Sequence, residues 1–316
     1  MKKEYVLLGI LIGFWSFSFI IVDNLLMFIT PITIAFYRFI IASFTLLLIT
    51  IFEKIWKKKN SFMKNDQLIY KNNEEIIRNS NSSKKYYILI LACSFLGGFL
   101  FYVVQYNAIE LIGPSTSALL VCLLSPIFIT ILSIIFFNEK LNIFKIIGFI
   151  LATIGTLILM SRGDLNNLNL FSENFFGNIL GISQPIIWAV YSILLKKLTK
   201  KLTPIQIMRY VIYIGTLELF LFVIFMGELD IFIENFLNPY VILNIAYLAI
   251  IASVIGGILW ASSMKKLEAS KVASFLYAEP FLTLLFSFVL GIEQDILVPL
   301  FGGILILIAV IIISSG

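Results

Sequence analysis

Four ionisable side chains, Arg38, Arg209, Glu218 and Glu279, stand inside long apolar runs. A charge at the centre of a membrane-spanning helix costs about 2.5–3.5 kcal/mol on insertion scales, so such groups face protein or water and mark candidate sites. Glu279 is the sharpest of them. It lies about ten residues into its run, beside Pro280, whose missing N–H leaves the carbonyl of Leu276 without its helical donor. A carboxyl at an interrupted helix at mid-depth suits a proton carrier; the alternative is a bond to a neighbouring helix. Arg38 lies about eight residues into its run, with Ala35, Ala42 and Thr45 on the same helical face. It suits either a substrate carboxylate or an internal ion pair with Glu279 or Glu218. Arg209 is close enough to a segment end to snorkel. Glu218 is nine positions further on, about 900° of rotation and 13.5 Å of rise, so the two cannot pair on one helix. Glu218 therefore needs another partner or lines a cavity.

Aromatic and amide side chains supply the remaining candidates. Trp15, Trp188 and Trp260 can stack on an organic solute, and Tyr102, Gln105, Tyr106, Asn107, Gln184 and Tyr191 offer polar contacts. Packing or anchoring at the membrane interface is the plainer role for any one of them. There is no His, which excludes imidazole acid–base chemistry and His-ligated metals. The two cysteines, Cys93 and Cys122, are isolated in apolar runs and form neither a disulfide framework nor a zinc site. No phosphate-binding GxxxxGK[ST] loop occurs. The sequence thus predicts no catalytic residues, metal or cofactor.

The elements that must position these groups follow from composition. The 316 residues are 60% hydrophobic and 13% charged, with a mean hydropathy of +1.02. A soluble chain of this size cannot hide so much apolar surface in one core. Ten runs approach the roughly 20 residues needed to cross a bilayer: 5–22, 31–52, 86–108, 115–137, 143–160, 176–195, 204–226, 239–262, 270–290 and 296–313. They lack period-2 alternation, so the predicted class is an all-α integral membrane protein.

The net charge of +5 sits at segment ends, which argues for a lipid surface rather than nucleic acid. With a cytoplasmic N-terminus, that side holds Lys2 and Lys3, nine cations in 53–85, Lys140 and Lys145, four in 196–201, and Lys265, Lys266 and Lys271. The opposite side holds Arg162. Both termini are accordingly placed in the cytoplasm of a multi-pass protein of the cell membrane. The polar stretch 57–85 is read as a cytoplasmic loop, either a solvated linker or a surface helix using Phe62, Met63, Ile69, Ile76 and Ile77.

The two halves repeat. At an offset of 154, Pro126 matches Pro280, Ser133 matches Ser287, Glu139 matches Glu293 and Gly148 matches Gly302. At an offset of 173, Trp15 matches Trp188 and Pro31 matches Pro204. Pro126 and Pro280 are the expected helix breaks, and Ser125 is the counterpart of Glu279. Glu139 and Glu293 are read as structural caps of short turns. The predicted units are 1–160, an outer linker 161–175, and 176–316, each unit with five helices. Five is odd, so the second unit enters the membrane inverted. The basic segment 53–85 corresponds to acidic 227–239, and the acidic turn at Asp23 to the basic 196–201, as inversion requires. Inverted repeats are common in secondary transporters, with the site at the midplane between halves.

Taken together, each half's Pro with Glu thirteen residues later and Gly nine beyond, the opening "GFWSFSFI", "PITIAFYRFIIA" and "YNAIELIGPSTSALL" resemble EamA-type members of the drug/metabolite transporter superfamily. Two departures are Ser16, where the family often has Gly, and the longer 57–85 loop. The resemblance implies a secondary carrier, often an exporter of small metabolites such as amino acids. Helices 1–4 and 6–9 would surround a cavity, with helices 5 and 10 bracing it. The expected partners are a small-molecule substrate and the bilayer, and a homodimer is left open. The competing classes are a membrane-embedded enzyme and a receptor or assembly protein acting through the cytoplasmic loop.

Overall fold

The computed structural model describes residues 2–59, 82–164, 174–235, 238–292 and 296–315. Among the described residues there is no strand. Ten helices of the described residues are long and apolar enough to cross a membrane: α1 (Lys3–Leu26), α2 (Pro31–Trp56), α3 (Tyr86–Ile112), α4 (Thr116–Phe137), α5 (Ile143–Ser161), α6 (Phe175–Leu198), α7 (Pro204–Met226), α8 (Pro239–Lys266), α9 (Ala269–Val289) and α10 (Leu297–Ser315). Several run up to four residues past the apolar stretches, because amphipathic ends such as Lys196 and Lys266 continue the helix while their charges stay outside. The surface-helix reading of the 57–85 loop and most of the proposed 161–175 linker fall outside the described residues.

Local chemistry sets the helix ends. Pro at the first helical position opens α2, α7 and α8, where its missing N–H leaves no bond unmade. The Thr203 side chain accepts from the Gln206 N–H, and the Gln206 side chain accepts from the Thr203 N–H, which is a complete capping box. Large apolar side chains such as Phe44, Ile135, Phe225 and Ile311 remain exposed on the outside of the bundle, where lipid replaces water as solvent.

Helices of the two halves pack against each other in antiparallel pairs. At one end of the α2–α7 pair, Thr30 and Thr33 at the start of α2 hold Glu228 just past α7. In its middle, Ser43 Oγ and Thr216 Oγ1 lie 2.7 Å apart. At the other end, Arg209 Nη2 pairs with Glu53 Oε2 at 2.8 Å. Arg209 thus reaches a half-exposed carboxylate at the charged end of α2. Ser43 and Thr216 are themselves separated by the offset of 173.

The α5–α10 pair closes through glycines. Gly148 faces Ala309 and Ile313, and Gly302 faces Gly155 and Leu159. These contacts exchange under the offset of 154, as a two-fold relation between the halves requires. A Cβ on Gly302 would stand 2.5 Å from the Gly155 carbonyl oxygen and 2.6 Å from the Leu159 nitrogen. Backbone atoms cannot swing aside as a side chain can. Gly302→Ala is therefore expected to destabilise the purified protein by about 1–3 kcal/mol, read as a lower midpoint in a detergent thermal-shift assay. An unchanged midpoint would refute the close approach.

Candidate functional site

A cavity of about 60 Å³ lies between the halves, walled by α1, α2, α3, α4, α6 and α9. Its polar lining is Ser18, Arg38, Gln105, Tyr106, Ser125 and Glu279, among aromatic Trp15, Phe101, Tyr102 and Trp188. The lining residues come from the halves of α1–α4 that lie away from the Lys-rich ends. A water needs about 10–15 Å³ of such space, so the cavity has room for several waters.

Arg38 and Glu279 dominate its chemistry. Arg38 is 4% exposed. Its Nε donates to Ser253 Oγ at 2.5 Å, a guanidinium nitrogen donates to Tyr106 Oη at 2.5 Å, and the Tyr102 ring lies 4.5 Å below it. The local backbone of α8 explains Ser253. Residues Tyr247–Ile255 form a π-helical stretch, a distortion often found at functional sites. Within it Ser253 donates to the carbonyl of Leu248, five residues back, and the Ala252 carbonyl accepts from Trp15 Nε1 at 3.0 Å. The third helix of the first half has the same kind of stretch at Phe95–Leu100.

Glu279 is 6% exposed, and its Oε2 accepts from the Cys122 thiol at 3.3 Å. It follows a tight 3₁₀ segment, Phe275–Tyr277, which interrupts α9. The Ala278 N–H closes the tight segment by donating to the Phe275 carbonyl, three residues back. Ser16 and Thr283 hydroxyls both donate to the Glu279 carbonyl. Among the described residues, neither Arg38 nor Glu279 has an opposite charge within ion-pair distance. The internal ion pair of Arg38 with Glu279 or Glu218 is therefore not formed. The cavity instead holds a cation and an acid, each satisfied by neutral groups.

At the floor of the cavity the three tryptophans pack edge-on and tilted against one another. The ring centroids of Trp15 and Trp188 are 5.3 Å apart, Trp15 and Trp260 5.4 Å, and Trp188 and Trp260 5.6 Å. Phe101 and Tyr191 pack on Trp188 at 4.7 and 5.2 Å. Trp15 and Trp188 are counterparts at offset 173, so matching residues of the two halves touch at the centre. A smaller void of about 20 Å³ lies on the other side of this cluster, bordered by Tyr191, Met208 and Trp260.

The sequence model of the EamA-like transporter family matches residues 3–161 and again 175–315. This chain belongs to the EamA-like transporter family. Two uncharacterized transporters of Archaeoglobus fulgidus are similar to it. One is 26% identical over 96% of this chain and 94% of its own, the other 27% identical over 98% of each. The uncharacterized transporter YyaM of Bacillus subtilis is 24% identical over 91% of this chain and 86% of its own. A solved crystal structure shares the fold, with a TM-score of 0.65 at 16% identity and 97% of each chain covered. Members of this family are transporters, so the membrane-enzyme class falls away.

Within this EamA-like fold the predicted residues separate into groups. Arg38, Glu279, Gln105, Tyr106, Tyr102, Trp15 and Trp188 line the main cavity. Tyr191 and Trp260 border the smaller void. Three candidates stand apart. Asn107 donates to the Val103 carbonyl of its own helix. Gln184 is exchanged in hydrogen bonds with Ser117. Glu218 is half-buried and lines neither space, with one carboxylate oxygen unpartnered. Pro126 does not break α4, which stays helical through it, whereas α9 is interrupted just before Pro280. Sequence reasoning missed Ser253, Phe101 and Ser18. Ser253 is a small polar residue in an apolar run, and only its wide backbone turn makes it a partner for Arg38.

At the Lys-rich face the halves are fastened. Glu139, just past α4, reaches α9 rather than capping its own turn. Its carboxylate accepts from the Ala269 and Ser270 N–H groups at 2.6 and 3.1 Å and from Ser270 Oγ at 2.9 Å. Lys196 Nζ lies 3.4 Å from the same carboxylate and donates to the carbonyls of Met264 and Leu267. Lys145, 2% exposed, donates to Glu268 and to the Lys140 carbonyl. Burial opposes the charge of Glu139, but the two amides, Lys196 and the Ser270 hydroxyl outweigh it and hold the carboxyl below its ordinary range. Glu139 is thus ionised at neutral pH.

Proposed function

We propose that this protein is a secondary transporter that exports small organic solutes, amino acids or related metabolites, by alternating access coupled to protons. One observation carries the reading: a single cavity, walled by both halves, holds a buried guanidinium and a buried carboxyl that leave each other unpaired. Holding two such groups away from bulk water is costly, and a role in handling a solute or a proton would account for their presence. Arg38 offers its fork to a carboxylate. Glu279 takes up or releases a proton, or meets an ammonium group. The aromatic walls accept the solute's apolar part. The two five-helix units are read as inverted across the membrane, with the Lys-rich face and both termini in the cytoplasm. On that reading the cavity lies on the side of the bundle away from the cytoplasm.

The test is reconstitution into liposomes with a panel of labelled amino acids and purines, followed with and without a pH gradient. Flux of a carboxylate-bearing solute, accelerated by the gradient, is the expected outcome. A transporter that moves only solutes without a carboxylate, or ignores the gradient, removes the proposed roles of Arg38 or Glu279 respectively.

A further inference from the structure

We propose that Glu139 is the latch of a gate on the Lys-rich face, and that the gate opens by swinging the first part of α9, residues Ala269–Ser274, about the tight turn Phe275–Tyr277. The inference rests on the transporter reading of the central cavity.

Three features meet here. The latch joins opposite halves: Glu139 belongs to the first, while Lys196, Ala269 and Ser270 belong to the second. Any rocking of one half against the other must separate them. The latch also lies beyond the tryptophan cluster from the cavity, so breaking it uncovers the route that the cluster blocks. Finally, the segment it holds is short and ends at a change of helix type. Leu276 and Glu279, at and just past that change, line the cavity. Movement of Ala269–Ser274 is therefore transmitted directly to the carboxyl in the site. A carboxylate that accepts three hydrogen bonds and a lysine across the interface holds the face shut beside the Lys145–Glu268 pair, and displacing Glu139 releases its own four contacts together.

Ser192 provides the reporter. It lies on α6 between the tryptophan cluster and Lys196, is fully buried, and its hydroxyl has no partner among the described residues. In nanodiscs, Ser192→Cys in a Cys93→Ala, Cys122→Ala background is reacted with a membrane-impermeant maleimide. Glu139→Gln and Lys196→Gln are each expected to raise the labelling rate on the order of tenfold, since a lost hydrogen bond to a charged group is worth about 1.5–3 kcal/mol. Lys266→Gln, which removes an exposed pair with Glu4, is expected to leave it unchanged. If Glu139→Gln does not fold, Lys196→Gln reads the same event. Parent-like labelling in a folded latch variant overturns the proposal, as does an equal increase in Lys266→Gln, which would mean general loosening. A lower thermal midpoint with unchanged labelling assigns Glu139 a purely structural role. Labelling needs no substrate, so a variant that opens while the parent moves no tested solute leaves the gate standing and removes the substrate reading.

Discussion

Glu279→Gln is expected to abolish transport driven by a pH gradient while leaving solute exchange in the absence of a gradient. The substitution keeps the size of the side chain and an oxygen that can accept from the Cys122 thiol 3.3 Å away. What it removes is the capacity to bind and release a proton. Glu279 also has no cation to lose among its described neighbours, so no buried ion pair is broken and folded protein should reach the membrane. The measurement is counterflow and gradient-driven efflux in the same liposome preparation. Gradient-driven flux equal to the parent's would end the proton-carrier role. Loss of both activities with an intact thermal midpoint would point to solute binding by Glu279 instead.

Arg38→Lys is the second large effect. The guanidinium serves Ser253 and Tyr106 through two nitrogens and rests on the Tyr102 ring. An ammonium group is a single point of charge with a shorter reach and cannot offer the same planar fork to a carboxylate. The expected loss is about 2 kcal/mol of solute binding, roughly thirtyfold in affinity, with the maximal rate changed less. Binding by isothermal titration, using the solute that the flux panel identifies, reads it directly. An unchanged affinity would assign Arg38 to holding α2, α3 and α8 together.

The ten helices and the doubling of the chain were legible because lipid makes each span declare itself through a long apolar run, and because identical chemistry recurs at constant offsets. Arg38 and Glu279 were legible for the same reason, a charge being conspicuous in such a run. The partners of these groups were not. Ser253 meets Arg38 through a wide turn of α8 that leaves no mark in residue type. Glu218 stood in an apolar run as Glu279 does, yet the helix rotation that decides which face meets the cavity depends on packing between helices. Glu139 was readable as a turn residue, but its bond to a helix start 130 positions away is a property of the assembled bundle. Pro126 and Pro280 share a register, and only one accompanies an interrupted helix, so proline marks where a helix can yield and not whether it has.

That last difference has a consequence for the transport cycle. The two prolines occupy matching places in α4 and α9, but one helix is continuous and the other interrupted. In a carrier made of two like halves, the return stroke can be produced by trading shapes. Residues 121–123 of α4 would then tighten as Phe275–Tyr277 relaxes, and Ser125 rather than Glu279 would sit at the bend. The forward and backward strokes would share a geometry but not a charge, so the acid would be bent into the pathway on one stroke only. That difference would make the two half-cycles unequal in rate, while the gradients across the membrane still set the net direction.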